Sequence, residues 1–181
     1  MTMKKLAVYC SASGTIDQEY NEVARQFVRA ASLSGYALVS GGTVKGTMGV
    51  ICDETADCGG YHIGIIPRFM ESLAHPRVNE TVIVETMSER KALMREGTVA
   101  SIALPGGIGT LDEIIEAFTL KKLGKYQGEI IFMNCKGFYD PVISLLDYYV
   151  ETEMLGQNVR DIIHTPSTVE ELMDILSRYC K

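Results

Sequence analysis

Apolar positions along the chain fall into two alternating patterns. Short runs rich in aliphatic and β-branched residues recur at 6–10, 36–40, 62–66, 81–84, 101–104 and 129–133. Between them lie segments with helical spacing, clearest over 17–34, where Tyr20, Val23, Ala24, Phe27 and Ala31 keep an i, i+3, i+4 period. That spacing predicts an amphipathic helix ended at Gly35. A further helix is predicted to start at Gly46, and others span 88–96, 110–123, 139–153 and 167–179. The strand runs are apolar at consecutive positions, which suits strands covered by helices on both faces. Six strands alternating with helices therefore predict an α/β fold, an open doubly wound parallel sheet with right-handed crossovers, in one domain over 1–181.

Composition narrows the function classes. At 181 residues with 46% hydrophobic and 22% charged positions, the chain can bury a sizeable core and has the makeup of neither a disordered nor a membrane protein. Seventeen Lys and Arg against 23 Asp and Glu give a net charge of -6, which offers no general attraction to nucleic acid or anionic lipid. The apolar run after Lys4-Lys5 is too short for a signal-peptide core, and a cytoplasmic location is expected. Cys10, Cys52, Cys58, Cys135 and Cys180 form no C-x-x-C pair, and His62, His75 and His164 form no ligand cluster, so no metal is expected.

Ligands of doubly wound sheets bind at the carboxyl ends of the strands. Three small-residue loops follow predicted strands: Ser11-Ala-Ser-Gly14, Ser40-Gly41-Gly42-Thr43 and Pro105-Gly106-Gly107-Ile-Gly109-Thr110. The last leads directly into a predicted helix, and a helix start with free amides is a phosphate site. The same glycines also fit a plain tight strand-to-helix turn. No dinucleotide fingerprint or P-loop motif is present, since Asp112 stands where the former needs glycine. Glu113 has two readings as well: a capping-box partner of Thr110, or a carboxylate beside a bound sugar. Arg90 and Lys91 sit near the start of a helix predicted to be capped by Ser88 and stopped by Gly97. Cations there are unfavourable to the helix dipole unless an anion compensates, and the alternative is a solvated charge cluster.

Taken together, Pro105-Gly-Gly-Ile-Gly-Thr-Leu-Asp-Glu113 and Met87-Ser-Glu-Arg-Lys91 resemble the P-G-G-x-G-T-x-x-E and M-x-x-R-K signatures of the Lonely guy (LOG) family. The resemblance extends over Val8-Tyr-Cys-Ser-Ala-Ser13, Gly41-Gly42, Gly46-Thr-Met-Gly49, Gly64-Ile-Ile-Pro67 and Asn134-x-x-Gly-Phe-Tyr139. It implies a Rossmann-like fold, a homodimer, and a phosphoribohydrolase that releases free base from a nucleoside 5′-monophosphate, without a cofactor. Carried over by position, Arg90 and Glu113 resemble the family's catalytic pair, and Gly106, Gly107, Gly109 and Thr110 its phosphate cradle. Lys91, Met87 and Thr119 are implied to line the nucleotide pocket, with Gly41, Gly42 and Ser11 from the other two loops. Glu71 falls near a further family binding position. Thr43, Leu120, Lys122 and Tyr126 depart from the family pattern and bear on base preference.

The older family label, lysine decarboxylase, requires a Schiff-base lysine for pyridoxal phosphate, which the resemblance does not supply. A different class of function, a nucleotide- or cofactor-binding carrier using the same cradle without hydrolysis, is opposed by the retention of both Arg90 and Glu113.

Overall fold

The computed structural model describes residues 3–180. Seven strands, all parallel, form one sheet: β1 (Lys5–Tyr9), β2 (Ala37–Ser40), β3 (Tyr61–Pro67), β4 (Glu80–Val84), β5 (Thr98–Ala103), β6 (Glu129–Phe132) and β7 (Ile163–His164). Their order is β4-β3-β2-β1-β5-β6-β7. The chain thus builds one wing outward from β1 and returns to lay β5 on the other side. The crevice between the carboxyl ends of β1 and β5 is the point where the direction of winding reverses.

Among the described residues six α-helices lie between strands, α1 (Gln18–Leu33), α2 (Gly46–Asp57), α3 (Met87–Arg95), α4 (Ile108–Lys122), α5 (Asp140–Glu151) and α6 (Gln157–Arg160), and a seventh, α7 (Val169–Tyr179), follows β7. Strand alternation sends side chains to two separate cores. From β1, Leu6 and Val8 pack with Phe27, Val28, Ile51 and Leu176 on the α1, α2 and α7 side. Ala7 and Tyr9 point the other way, against Met94, Ile114, Phe118 and Phe132 on the α3, α4 and α5 side. All four of these β1 residues are at most 1% exposed, as expected for a strand covered twice.

Three local expectations are corrected. The sheet has a seventh strand, β7, of two residues, too short to register as an apolar run. Helix α3 is capped by Thr86 and not Ser88: Thr86 Oγ1 accepts the Glu89 N–H (3.1 Å) and Glu89 Oε2 accepts the Thr86 N–H (3.1 Å), a complete capping box. Helix α4 begins at Ile108, before Thr110, with Gly107 as its N-cap and no side-chain cap. Thr110 and Glu113 consequently make no capping box, and both side chains are free for other work.

Candidate active site

The crevice at the β1/β5 switch point opens into a cavity of about 400 Å³. Its polar side is built from the loop after β1, with Ser11 and Ser13, and from the start of α4, with Gly107, Gly109 and Thr110. Since no side chain caps α4, its first-turn amides remain available to an anion. Thr110 is buried against the loop before it, and a Cβ at Gly106 would collide with Thr110 Oγ1 and come within 3.0 Å of the Ser11 amide nitrogen. Gly106 therefore lets two loops close on each other, while Gly107 and Gly109 face the cavity. From below, Tyr139 donates its hydroxyl to the Leu104 carbonyl (2.7 Å) and anchors the loop where it leaves β5.

Arg90 on α3 and Glu113 on α4 meet at the cavity's inner wall. Arg90 Nη1 donates to Glu113 Oε1 at 3.4 Å, and the two residues are 6% and 8% exposed. A second bond, Arg90 Nε–H to the Ile65 carbonyl (3.0 Å), fixes the guanidinium to the end of β3. Its far side rests on Gly41, where a Cβ would collide with Arg90 Nη2. Burial pushes the Glu113 carboxyl up to about 7, with Arg90 pulling it down less strongly than burial raises it. A carboxyl that is half ionised near neutrality, facing a cavity, is equipped to take or give a proton.

The remaining predicted residues divide. Met87 lines the cavity, and with Met48, Met70 and Leu73 it supplies apolar lining beside the polar loops' residues. Met48 stands on α2 and Met70 and Leu73 on the 3₁₀ turn Arg68–Leu73, so no local pattern announced them together. Lys45 and Thr43 also line the cavity. Lys91 is turned outward along α4, where Asp112 (2.9 Å) and Glu116 (2.5 Å) hold it and raise its pKa. Thr119 is exposed and donates to the Ile115 carbonyl (2.9 Å), one turn back on its own helix. Neither Lys91 nor Thr119 lines the cavity of this chain. Glu71 is exposed on the 3₁₀ turn Arg68–Leu73, facing Arg68 at 3.9 Å. Tyr126, one of the departures from the family pattern, is buried away from the cavity and shares hydrogen bonds with Thr98 (2.9 Å) and Ser101 (3.1 Å).

No group of three or more His, Cys, Asp or Glu side chains with metal-binding geometry occurs among the described residues. The lysine that lines the cavity, Lys45, is exposed, and Lys91 is tied to two carboxylates. A pyridoxal phosphate Schiff base needs a desolvated, unpaired amine, so the lysines here do not fit that group.

A parallel sheet wound in two directions defines a Rossmann-like fold, and this chain carries a cavity and a buried acid–cation pair at its switch point. The chain belongs to the LOG family, whose profile, described as "Possible lysine decarboxylase", matches residues 48–176. The cytokinin riboside 5′-monophosphate phosphoribohydrolase LOG of Oryza sativa subsp. japonica is 35% identical over 179 residues, spanning 97% of this chain and 74% of that protein. The probable cytokinin riboside 5′-monophosphate phosphoribohydrolase LOGL3 of the same plant is 33% identical over 178 residues, 97% of this chain and 84% of that one. Among solved structures, the molybdenum cofactor binding protein of Rippkaea orientalis superposes with a TM-score of 0.78 over 100% of this chain and 99% of its own, at 18% identity. That likeness concerns the fold.

Proposed function

We propose that this protein is a phosphoribohydrolase that cleaves the N-glycosidic bond of a nucleoside 5′-monophosphate, a cytokinin riboside monophosphate or AMP, to free base and ribose 5-phosphate. The observation that carries the reading is the buried Arg90–Glu113 pair, 3.4 Å apart, with Glu113 about one and a half helical turns from the open start of α4. Of the family relatives named above, LOG is named as a cytokinin riboside 5′-monophosphate phosphoribohydrolase and LOGL3 as a probable one, which supports the substrate class.

In this reading the 5′-phosphate binds the first-turn amides of α4 and the Thr110 hydroxyl, placing C1′ beside Glu113. As the C1′–N bond breaks, its electron pair leaves with the base, and positive charge builds on C1′ and the ring oxygen. The Glu113 carboxylate stabilises that charge and takes a proton from the water whose oxygen bonds to C1′. The departing base nitrogen gains a proton, so the net reaction consumes one water. Arg90 orients the ribose or the leaving base and lowers the cost of the buried carboxylate. The apolar lining of Met48, Met70, Leu73 and Met87 supports binding of a flat base that carries an apolar substituent.

The homodimer belongs to the same proposal. Helix α4 leaves Ile108 82% exposed, and Leu123 just beyond its end is 62% exposed, on elements that also carry Lys91's partners and Thr119. A second copy packed there would cover these residues, and sedimentation at micromolar concentration tests it: a dimer is expected, and a monomer contradicts it.

The activity itself is tested by incubating the purified protein with AMP, isopentenyladenosine monophosphate, CMP, GMP and lysine, with chromatography of the products. Free base with ribose 5-phosphate is expected. AMP and isopentenyladenosine monophosphate that both bind for hours without cleavage would replace the enzyme with a carrier.

A further inference from the structure

On the α2 side of the sheet lies a buried polar pair that the proposed reaction does not use. Strands β2 and β3 are neighbours, with Leu38 opposite His62 and Ser40 opposite Gly64. Residues 38, 40, 62 and 64 therefore share one face of the sheet. On that face His62 Nε2 lies 2.7 Å from Ser40 Oγ, and both residues are fully buried. Ser40 Oγ also accepts the Gly42 N–H (3.1 Å), so its own proton is free to point at the imidazole. The ring is held in place through its backbone: the His62 N–H donates to Asn79 Oδ1 (2.8 Å), and the Asn79 N–H donates to the His62 carbonyl (2.9 Å).

The pair has a visible cost. His62 Nδ1 is buried and has no hydrogen-bond partner among the described residues, and burial drives the ring's pKa down to about 4. A leucine would fill such a position without an orphaned nitrogen, and buried polar groups kept at a cost tend to serve something beyond packing.

What they serve is set by the two glycines that follow. Gly42 has φ +59, and a Cβ there would come within 2.5 Å of Gly64 Cα, so the loop lies flat on β3. Its carbonyl accepts the His75 N–H (2.8 Å). The Ser40 hydroxyl pins the loop from within. Gly41, between the two pinned residues, is the surface on which the Arg90 guanidinium rests, with Met48 Sδ within 2.6 Å of where a Gly41 Cβ would stand.

We propose that His62 and Ser40 are positioning residues for Arg90: their hydrogen bond fixes the Gly41–Gly42 backbone, and that backbone sets where the guanidinium presents Nη1 to Glu113. The catalytic consequence rests on the phosphoribohydrolase reading, but the positioning itself does not.

The test uses the full chain and two readouts. The first is the NMR signal of Arg90 Nε–H, identified by its absence in Arg90→Lys. The second is the KM and kcat split for a nucleoside monophosphate. Ser40→Ala and His62→Leu are expected to move or broaden the Arg90 signal and to lower kcat about tenfold with KM changed less than about twofold, as a small misplacement of a catalytic group does. His62→Gln, whose side-chain amide reaches the Nε2 position, is expected to keep both readouts near wild type. If His62→Leu does not fold, Ser40→Ala against His62→Gln decides alone. An Arg90 signal unchanged in Ser40→Ala overturns the inference, as does an unchanged kcat in an active enzyme. A wild type that cleaves no nucleotide, combined with an Arg90 signal moved in Ser40→Ala and kept in His62→Gln, overturns the activity while the positioning stands.

Discussion

Arg90 Nη1 stands 3.4 Å from Glu113 Oε1, yet the carboxyl is pushed up to about 7 and not pulled below its ordinary value. Charge pairing with Arg90 alone would favour the ionised form of Glu113. Burial of the carboxyl on the cavity wall is the stronger influence, and Asp112 and Glu116 on the same helix add to it. Arg90 is also shared with the Ile65 carbonyl, so its charge is not spent on Glu113 alone. The outcome is a carboxyl poised near neutrality.

The first prediction follows from that value. If the ionised carboxylate assists water attack, kcat/KM rises with pH through an apparent pKa near 7 and levels off above it. A pH–rate profile for AMP or isopentenyladenosine monophosphate checks this. A profile flat from pH 5 to 9 would remove Glu113 ionisation from the rate-determining chemistry.

Stability carries the same signature with its own sign. Glu113 has a folded pKa raised from 4.5, so its contribution is fully present below about pH 4.5 and is lost as pH rises through about 7, by roughly 3 kcal/mol at 1.36 kcal/mol per pH unit. His62 runs the other way: its pKa is lowered from 6.5 to about 4, so its contribution is present above 6.5 and lost as pH falls through about 4. The two slopes oppose each other in the wild type, and variants separate them. The melting temperature of Glu113→Gln relative to wild type should be more favourable at pH 8 than at pH 5. That of His62→Gln should be more favourable at pH 4 than at pH 7.

The cradle is tested by closing it. A Cβ at Gly106 meets Thr110 Oγ1 and the Ser11 amide, so Gly106→Ala must push the loop after β1 away from the start of α4. We expect KM for a nucleoside monophosphate to rise by at least about tenfold, corresponding to about 1.4 kcal/mol of lost phosphate binding. Inhibition by ribose 5-phosphate should weaken in parallel, while binding of the unphosphorylated nucleoside changes little. Equal loss for phosphorylated and unphosphorylated ligands would place the phosphate elsewhere.

Tyr139 gives a milder version of the same test. Tyr139→Phe removes the hydroxyl that donates to the Leu104 carbonyl and leaves a buried acceptor without that partner, at a cost of about 1–2 kcal/mol. Thermal unfolding should show that loss, and KM should rise modestly because the cradle is less firmly held. No change in either would assign the hydroxyl no part in the loop.

Most of the fold was legible because β1 to β6 each contain consecutive apolar residues and α1 and α7 keep one apolar stripe; β7 was not, because two residues cannot set a period. The helix starts were legible in type and wrong in detail. Thr86-Met-Ser-Glu89 carries a full capping-box spacing that Ser88, nearer the charged residues, obscured. At α4 a glycine N-cap leaves no side-chain signal, so Thr110 was read as the start. In the site, Arg90 and Glu113 stood out through their motifs, although only the tertiary fold brings α3 and α4 together. Ser40 and His62 were invisible as a pair, since they lie 22 residues apart on adjacent strands and each is unremarkable alone. Lys91 shows the converse: its motif marks it for the ligand, while in this chain Asp112 and Glu116 hold it outside the cavity.

The central claim is that Glu113, in the cavity at the β1/β5 switch point, drives cleavage of a nucleoside monophosphate. Its most direct test is release of ribose 5-phosphate from isopentenyladenosine monophosphate and from AMP by the wild type and by Glu113→Gln, with nucleotide affinity measured on both proteins. We predict steady release by the wild type, a drop of at least about 100-fold in Glu113→Gln, and similar affinities. Equal turnover in the two proteins, or a wild type that binds the nucleotide and leaves it whole, would contradict the account.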